Sequence, residues 1–321
     1  IRTMHAEPLR ILFPTNFSDA CDRASRALTQ LASVCRLDLT IVHVTRPGHR
    51  TARLTHELER FLFDGHYFGA CRRLMLDADD GPGAVSALCR QDRFDLVMAP
   101  ASERPAVRRL LTRSFRARLL RQCDVPLWTA GDAVASRDFD HPIRTVACLM
   151  DFDTDRVAFV RLVADFARRF HARTVFLYVV PPVDEGMLTH ALTSSGPLLP
   201  ALAVKQIREM FDGHAPPDVD VAVGYRGREL RRMLTHHRAD LLFVGPRQAA
   251  ASSWALRFSR DLDHMPCPVI CVDGAAAGFA HWSFEGTPWA PPAREAALAP
   301  AGEPMRQPHL DTGWPPAFVR R

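Results

Sequence analysis

A chain of 321 residues, 47% hydrophobic and 24% charged, has the make-up of a globular protein with room for two ordinary domains. Its formal net charge of +5 comes almost wholly from arginine, Lys205 being the only lysine, and the arginines are spread over expected helix faces, so nucleic-acid binding is not expected. No apolar run approaches the ~20 residues that span a bilayer. The start has no charged-then-apolar leader, and eight cysteines lack disulfide-type spacing, so a cytoplasmic protein without a membrane contact is expected.

Ile11 to Phe13 is a short apolar run closed by Pro14 and predicts a buried strand. Ser18 and Asp19 offer N-cap oxygens to a helix through about Cys35, with Ala24, Ala27, Leu28, Leu31 and Ala32 on one face. Leu37 to Val44 is β-branched and predicts a second strand; Thr51 to Phe63 is amphipathic and predicts a helix. Arg73 to Asp77 predicts a third strand, followed by a turn at Asp80-Gly-Pro-Gly83 and a helix over Ala84 to Cys89. Strand, helix and strand are then predicted at Asp95 to Ala99, Ala106 to Gln122 and Pro126 to Ala130. After a polar linker, Gly131 to Pro142, the order returns. Strands are predicted at Thr145 to Met150, Thr174 to Val180, Val219 to Val223, Asp240 to Val244 and Val269 to Asp273. Helices are predicted near Asp155 to Phe170, Leu198 to Asp212, Arg226 to His237 and Ser252 to Asp263. Strands alternating with helices imply parallel sheets covered on both faces. From Ala275 the chain is aperiodic with eight prolines in 47 residues, which predicts a disordered tail, 275–321, carrying Trp282, Trp289 and Trp314.

The two halves are copies. Asp95-Leu96 and Asp240-Leu241 each open an apolar run, and Ser114 and Ser259 each follow nineteen positions later, a constant offset of 145. Upstream, the segment Arg10 to Asp19 is answered by Arg144 to Asp153; downstream, Asp124 to Trp128 is answered by Met265 to Val269. Each copy is long enough to bury a core of its own, so the unit is a duplicated domain and not a solenoid repeat.

Pro14-Thr-Asn-Phe-Ser-Asp19 with its helix, the strand ending His43-Val44, Ala239-Asp-Leu-Leu-Phe-Val-Gly245 and Cys267-Pro-Val-Ile-Cys271 resemble the universal stress protein family. The likeness covers residues 9–131 and 142–274. It implies α/β architecture in two repeats of a five-stranded, parallel-sheet, Rossmann-like domain of the adenine nucleotide alpha hydrolase-like type. It also implies a cytoplasmic protein whose repeats pair through their last strands as an intrachain pseudo-dimer; a homodimer or a protein partner beyond that pair stays open.

The nucleotide-binding branch of that family reads adenine with an Asp after the first strand and wraps phosphates with a Gly-x2-Gly-x9-Gly-Ser/Thr loop. Glycines admit backbone N–H groups to the phosphate, and a helix N-terminus adds positive potential. In the first copy these positions are Pro100, Glu103, Arg113 and Ser114, with Asn16 in place of the Asp. Proline has no N–H to offer, and Glu103 puts a carboxylate where a phosphate oxygen belongs. In the second copy they are Gly245, Gln248, Phe258 and Ser259, and Asp151 is present. The first pocket is therefore expected to have lost ATP, and the second to bind ATP or another adenine nucleotide weakly or not at all.

Other clusters have plainer readings. Arg104, Arg108, Arg109 and Arg113 read as a solvated helix face and not an anion site. His236-His237 suits a helix C-terminus better than a metal. Cys267 and Cys271 fall on one buried strand face, away from any use with His264, and Asp77, Asp79 and Asp80 read as a polar loop. No dinucleotide fingerprint, nucleophile elbow or P-loop follows any strand, and nothing pairs a nucleophile with a base. The expectation is a protein of stress adaptation that binds or interacts and is not an enzyme. The competing readings are slow ATP hydrolysis at the second pocket, or a scaffold built on the closing strands and the Trp-bearing tail.

Overall fold

The computed structural model describes residues 8–62, 70–100, 115–131, 134, 142–150, 156–180, 198–209, 218–245, 262 and 264–272. The first half runs β1 (Leu9–Pro14), α1 (Asp19–Ala32), β2 (Leu37–Thr45), α2 (Ala52–Arg60), β3 (Ala70–Asp77), α3 (Gly81–Gln91), β4 (Leu96–Met98), α4 (Phe115–Gln122) and β5 (Leu127–Thr129). The second runs β6 (Thr145–Leu149), α5 (Arg156–Arg169), β7 (Arg173–Val180), α6 (Leu198–Glu209), β8 (Asp218–Val223), α7 (Arg226–His236), β9 (Leu241–Val244) and β10 (Val269–Cys271). Each predicted strand is present. The tail 275–321 and most of the linker lie outside the described residues.

All strands join one ten-stranded sheet in the order β3-β2-β1-β4-β5-β10-β9-β6-β7-β8. Within each half every pairing is parallel. The halves meet at one antiparallel seam, where Val269, Ile270 and Cys271 face Thr129, Trp128 and Leu127. The order read outward from the seam is the same on both sides, so the second half repeats the first about a pseudo-twofold axis at β5 and β10. That seam is the expected pairing through the last strands.

Side-chain alternation along the strands assigns each face its own core. Leu9, Ile11 and Phe13 of β1 point to one cluster with Leu28 of α1, Leu58 of α2, Phe166 of α5 and Ile207 of α6. Leu12 points to the other, with Val85 of α3, Leu119 of α4 and Met233 of α7. Phe243 and Ile270 belong to the first cluster; Leu242, Val244, Val269 and Cys271 to the second. Each cluster draws residues from both halves and runs on across the seam. Every fully buried Leu or Phe contributes about 1.5–3 kcal/mol.

Local chemistry departs from expectation in two places. Asp80-Gly-Pro-Gly83 is not a free turn: α3 starts at Gly81, with Pro82 in the first turn, where a missing N–H costs nothing. Ser18 is the N-cap of α1, but its side chain caps no backbone N–H; the hydroxyl lies 3.7 Å from Cys21 Sγ instead.

Candidate functional site

In an open parallel sheet, ligands enter at the carboxyl ends of the strands where the order reverses. Here that is the crevice between β1 and β4 in the first half and between β6 and β9 in the second. Both crevices are anchored at their far end by the same bond. Asp95 Oδ2 accepts the Arg10 N–H at 2.8 Å; Asp240 Oδ2 accepts the N–H groups of Arg144 at 2.8 Å and of Thr145 at 2.9 Å. The sequence repeat marked both aspartates but not this role, which ties the head of the fourth strand to the head of the first.

At the mouth of the first crevice stands Asn16, exposed, just beyond β1. Its Oδ1 accepts from the Ser18 N–H at 3.2 Å and from the Cys21 thiol at 3.2 Å, so the oxygen expected to face a base is engaged by its own loop. Thr15 Oγ1 accepts the Phe17 N–H at 3.0 Å. Phe17 takes a left-handed backbone, φ 59°, costly for a side chain that is not glycine. That twist sets its ring on His43, at the carboxyl end of β2, with centroids 4.6 Å apart and planes 27° from parallel. Phe61 closes on Phe17 edge-on at 6.0 Å. His43 is held by donating from Nδ1 to the Thr15 carbonyl at 2.8 Å. An aromatic stack thus lies over the strand ends beside Asn16. Neither Phe17 nor His43 has a spacing that marks it in the sequence.

At the second crevice, Gly245 is buried directly after β9, level with the residues that follow β6, since Leu149 pairs with Val244. A Cβ at Gly245 would touch the Phe159 ring at 3.5 Å, an ordinary contact. Among the described residues Gly245 is not one of the glycines with positive φ, so the fold itself does not require glycine there. Phe159 comes from α5 and covers the glycine at the crevice mouth. Asp151, Gln248 and Ser259 lie outside the described residues, as do Ser114, Glu103, Arg113 and the arginines Arg104, Arg108 and Arg109. The structure therefore places Asn16 and Gly245 at equivalent crevices, one in each half.

Cys267 and Cys271 are 2% and 3% exposed in one cluster, and burial pushes the Cys271 thiol up to about 12, while His264 is exposed. Asp80 pairs with Arg118 at 2.6 Å. His237 ends α7 and meets Asp220 of β8 through Nε2 at 2.9 Å. Among the described residues no group of three or more His, Cys, Asp or Glu could hold a metal ion, and no helix is long and apolar enough to cross a membrane.

Residues 142–273 match the sequence model of the Universal stress protein family. No curated protein matches the chain. Among solved structures, a functionally unknown protein from Pseudomonas aeruginosa PAO1 is similar with a TM-score of 0.59 at 12% identity, over 87% of this chain and 96% of its own. A universal stress protein from Archaeoglobus fulgidus gives 0.56 at 12% identity, over 82% of this chain and 96% of its own. A putative universal stress protein from Pseudomonas aeruginosa UCBPP-PA14 gives 0.55 at 12% identity, over 87% and 97%. At that identity these likenesses speak for the fold, and they span both halves. The second repeat thus matches the universal stress protein family in sequence, and the sheet it belongs to runs through both halves.

Proposed function

We propose that the chain is a tandem universal stress protein, with domains at 9–131 and 142–274, that serves stress adaptation in the cytoplasm by binding or partner interaction and not by turnover. ATP binding is lost in the first domain and weak or lost in the second. The observation that supports this most directly is at Asn16. Its side-chain oxygen accepts from Ser18 and Cys21, and the adjoining Phe17 ring already stacks on His43. A base entering there has to displace an aromatic contact and break two hydrogen bonds before gaining any of its own. The phosphate positions offer no compensation, because Pro100 lacks an N–H and Glu103 is acidic. In the second domain Asp151 and Gly245 keep the residue types of a nucleotide pocket, but Gln248 and Phe258 replace two of its glycines and Phe159 covers the third.

Calorimetric titration of the full chain with ATP tests the reading. The expected result is no heat, or weak heat that disappears in Asp151→Ala. Sub-micromolar binding that survives that substitution would refute it. Multiple-turnover ATP hydrolysis abolished by the same substitution would establish the enzymatic alternative in its place.

A further inference from the structure

Helices α3 and α7 hold the same place in the two halves. Each has 11 residues, at the constant offset of 145, and each follows the third strand of its half. Both bury the same three positions: Val85, Leu88 and Cys89 in α3, and Leu230, Met233 and Leu234 in α7. The remaining positions diverge. Arg226, Arg228, Arg231 and Arg232 of α7 stand where α3 has Gly81, Gly83, Ser86 and Ala87. A helix at this place in the fold therefore needs no arginine.

The extra charge of α7 faces outward. Leu230, Met233 and Leu234 fix its inner face, so the helical period puts Tyr225, Arg228, Arg231, Arg232 and Thr235 on the outer one. All five are exposed, Tyr225 at 75%. They form a stripe about 15 Å long at the helical rise per residue. The one acid of the helix, Glu229, is half-buried and already accepts from Arg232 at 2.8 Å. The side chains of Arg228 and Arg231, and of Arg238 just past the helix, form no ion pair among the described residues. Val223, 56% exposed, stands two residues before Tyr225. With Leu202 they are the large apolar side chains left exposed among the described residues.

We propose that the outer face of α7 is a docking surface for an acidic amphipathic segment of a partner protein, with Val223 and Tyr225 as its apolar end and Arg228, Arg231 and Arg232 as its charged length.

Charge selects the partner. Arginines in one line with no carboxylates of their own are complementary to a helix that carries Glu or Asp at every third or fourth position. Tyr and Arg are also the side chains that carry most of the binding energy in protein interfaces. A nucleic-acid strand would answer the arginines but leave Val223 bare, since phosphates gain nothing from an apolar neighbour. An acidic segment with an apolar residue at one end uses both parts of the stripe. The proposal rests on the reading of the chain as a partner-binding protein and adds the chemistry of the partner.

The test follows the fluorescence anisotropy of a fluorescein-labelled synthetic helical peptide, glutamate on one face and leucine on the other. It is titrated with the full chain at physiological salt and without ATP, so the outcome is independent of the nucleotide titration. Saturable binding is expected, weakened about tenfold or more by Arg228→Glu combined with Arg231→Glu, and about tenfold by Tyr225→Ala. Arg46→Glu combined with Arg50→Glu makes the same change in net charge at exposed positions of the first half, and is expected to leave the affinity within about twofold. All of these side chains are exposed, and thermal midpoints check that each variant folds. Absence of saturable binding, equal weakening by the two charge-reversed pairs, or an affinity unmoved by Tyr225→Ala would overturn the proposal. So would tighter binding of a labelled mixed-sequence single-stranded oligonucleotide than of the peptide.

Discussion

Asp240 accepts the backbone N–H of Arg144 through Oδ2 at 2.8 Å, and that carboxylate oxygen takes the Thr145 N–H as well. Asp95 makes the equivalent bond to Arg10 in the first half. Removing either carboxylate strands backbone donors at the head of an inner strand, and an unsatisfied donor of this kind costs about 1–3 kcal/mol. Asp240→Ala is expected to lose about 2–3 kcal/mol, the upper part of that range because two donors depend on it. Asp95→Ala is expected to lose an amount in the same range, and the Asn variants, which keep an acceptor, less. Urea unfolding midpoints decide the ranking, and equal midpoints for Asp240→Ala and the unmodified chain would contradict it.

Phe166 of α5 meets Phe243 of β9 edge-on, centroids 5.0 Å apart and planes at 66°, with both side chains at most 1% exposed. Phe243→Ala removes transfer energy and leaves a cavity under the inner strand of the second half, for a cost of about 3–5 kcal/mol. The ring pair adds about 0.5–1.5 kcal/mol beyond burial. In a double-mutant cycle with Phe166→Ala, a coupling energy of that size is expected. Strict additivity would show that the edge-on geometry contributes nothing by itself.

Asp165 of α5 is desolvated by its surroundings, which raises its carboxyl above the ordinary value of 3.8 even though Arg168 and Arg169 pull it back down. A raised folded value means that the native state holds this proton more tightly than the unfolded chain does. The contribution is fully present below pH 3.8 and is lost as pH rises through the folded value. The window opens at 3.8 and extends upward, and the hydrogen bond from Arg168 opposes the shift. Between pH 4 and 6, stability is expected to fall less, or rise more, with increasing pH in Asp165→Asn than in the parent chain, as read from unfolding midpoints. Identical slopes would mean that the desolvation is not felt in solution.

Much of this architecture was readable from residues. Apolar runs such as Ile11 to Phe13 and Leu241 to Val244 are buried on both sheet faces, so they announce inner strands without alternation. The helix pattern from Ala20 to Leu31 follows from its one buried face. The Gly81-Pro-Gly83 run misled because proline in a first helical turn and proline in a β-turn look alike until the residues that follow are placed. Ser18 misled because a thiol, at Cys21, competed for its hydroxyl. The seam between Trp128 and Ile270 had no local signal and came from family likeness. Phe17, His43 and Phe159 were invisible as site residues, since an aromatic that fills a crevice has the same local sequence as one that fills a core.

The last prediction separates the missing charge from the blocked space at the first crevice. If loss of the acidic residue alone had silenced this pocket, Asn16→Asp would revive it. The geometry argues otherwise. An Asp at 16 would still accept the Ser18 N–H and the Cys21 thiol, and more strongly, since charged acceptors bind donors more tightly. Phe17 would remain stacked on His43. Measured in an Asp151→Ala background, so that only the first half is read, Asn16→Asp is expected to give no heat with ATP and a slightly higher thermal midpoint from the tightened loop. Appearance of saturable ATP binding in that variant would mean that the aromatic stack yields freely to a base and that charge alone had closed the site.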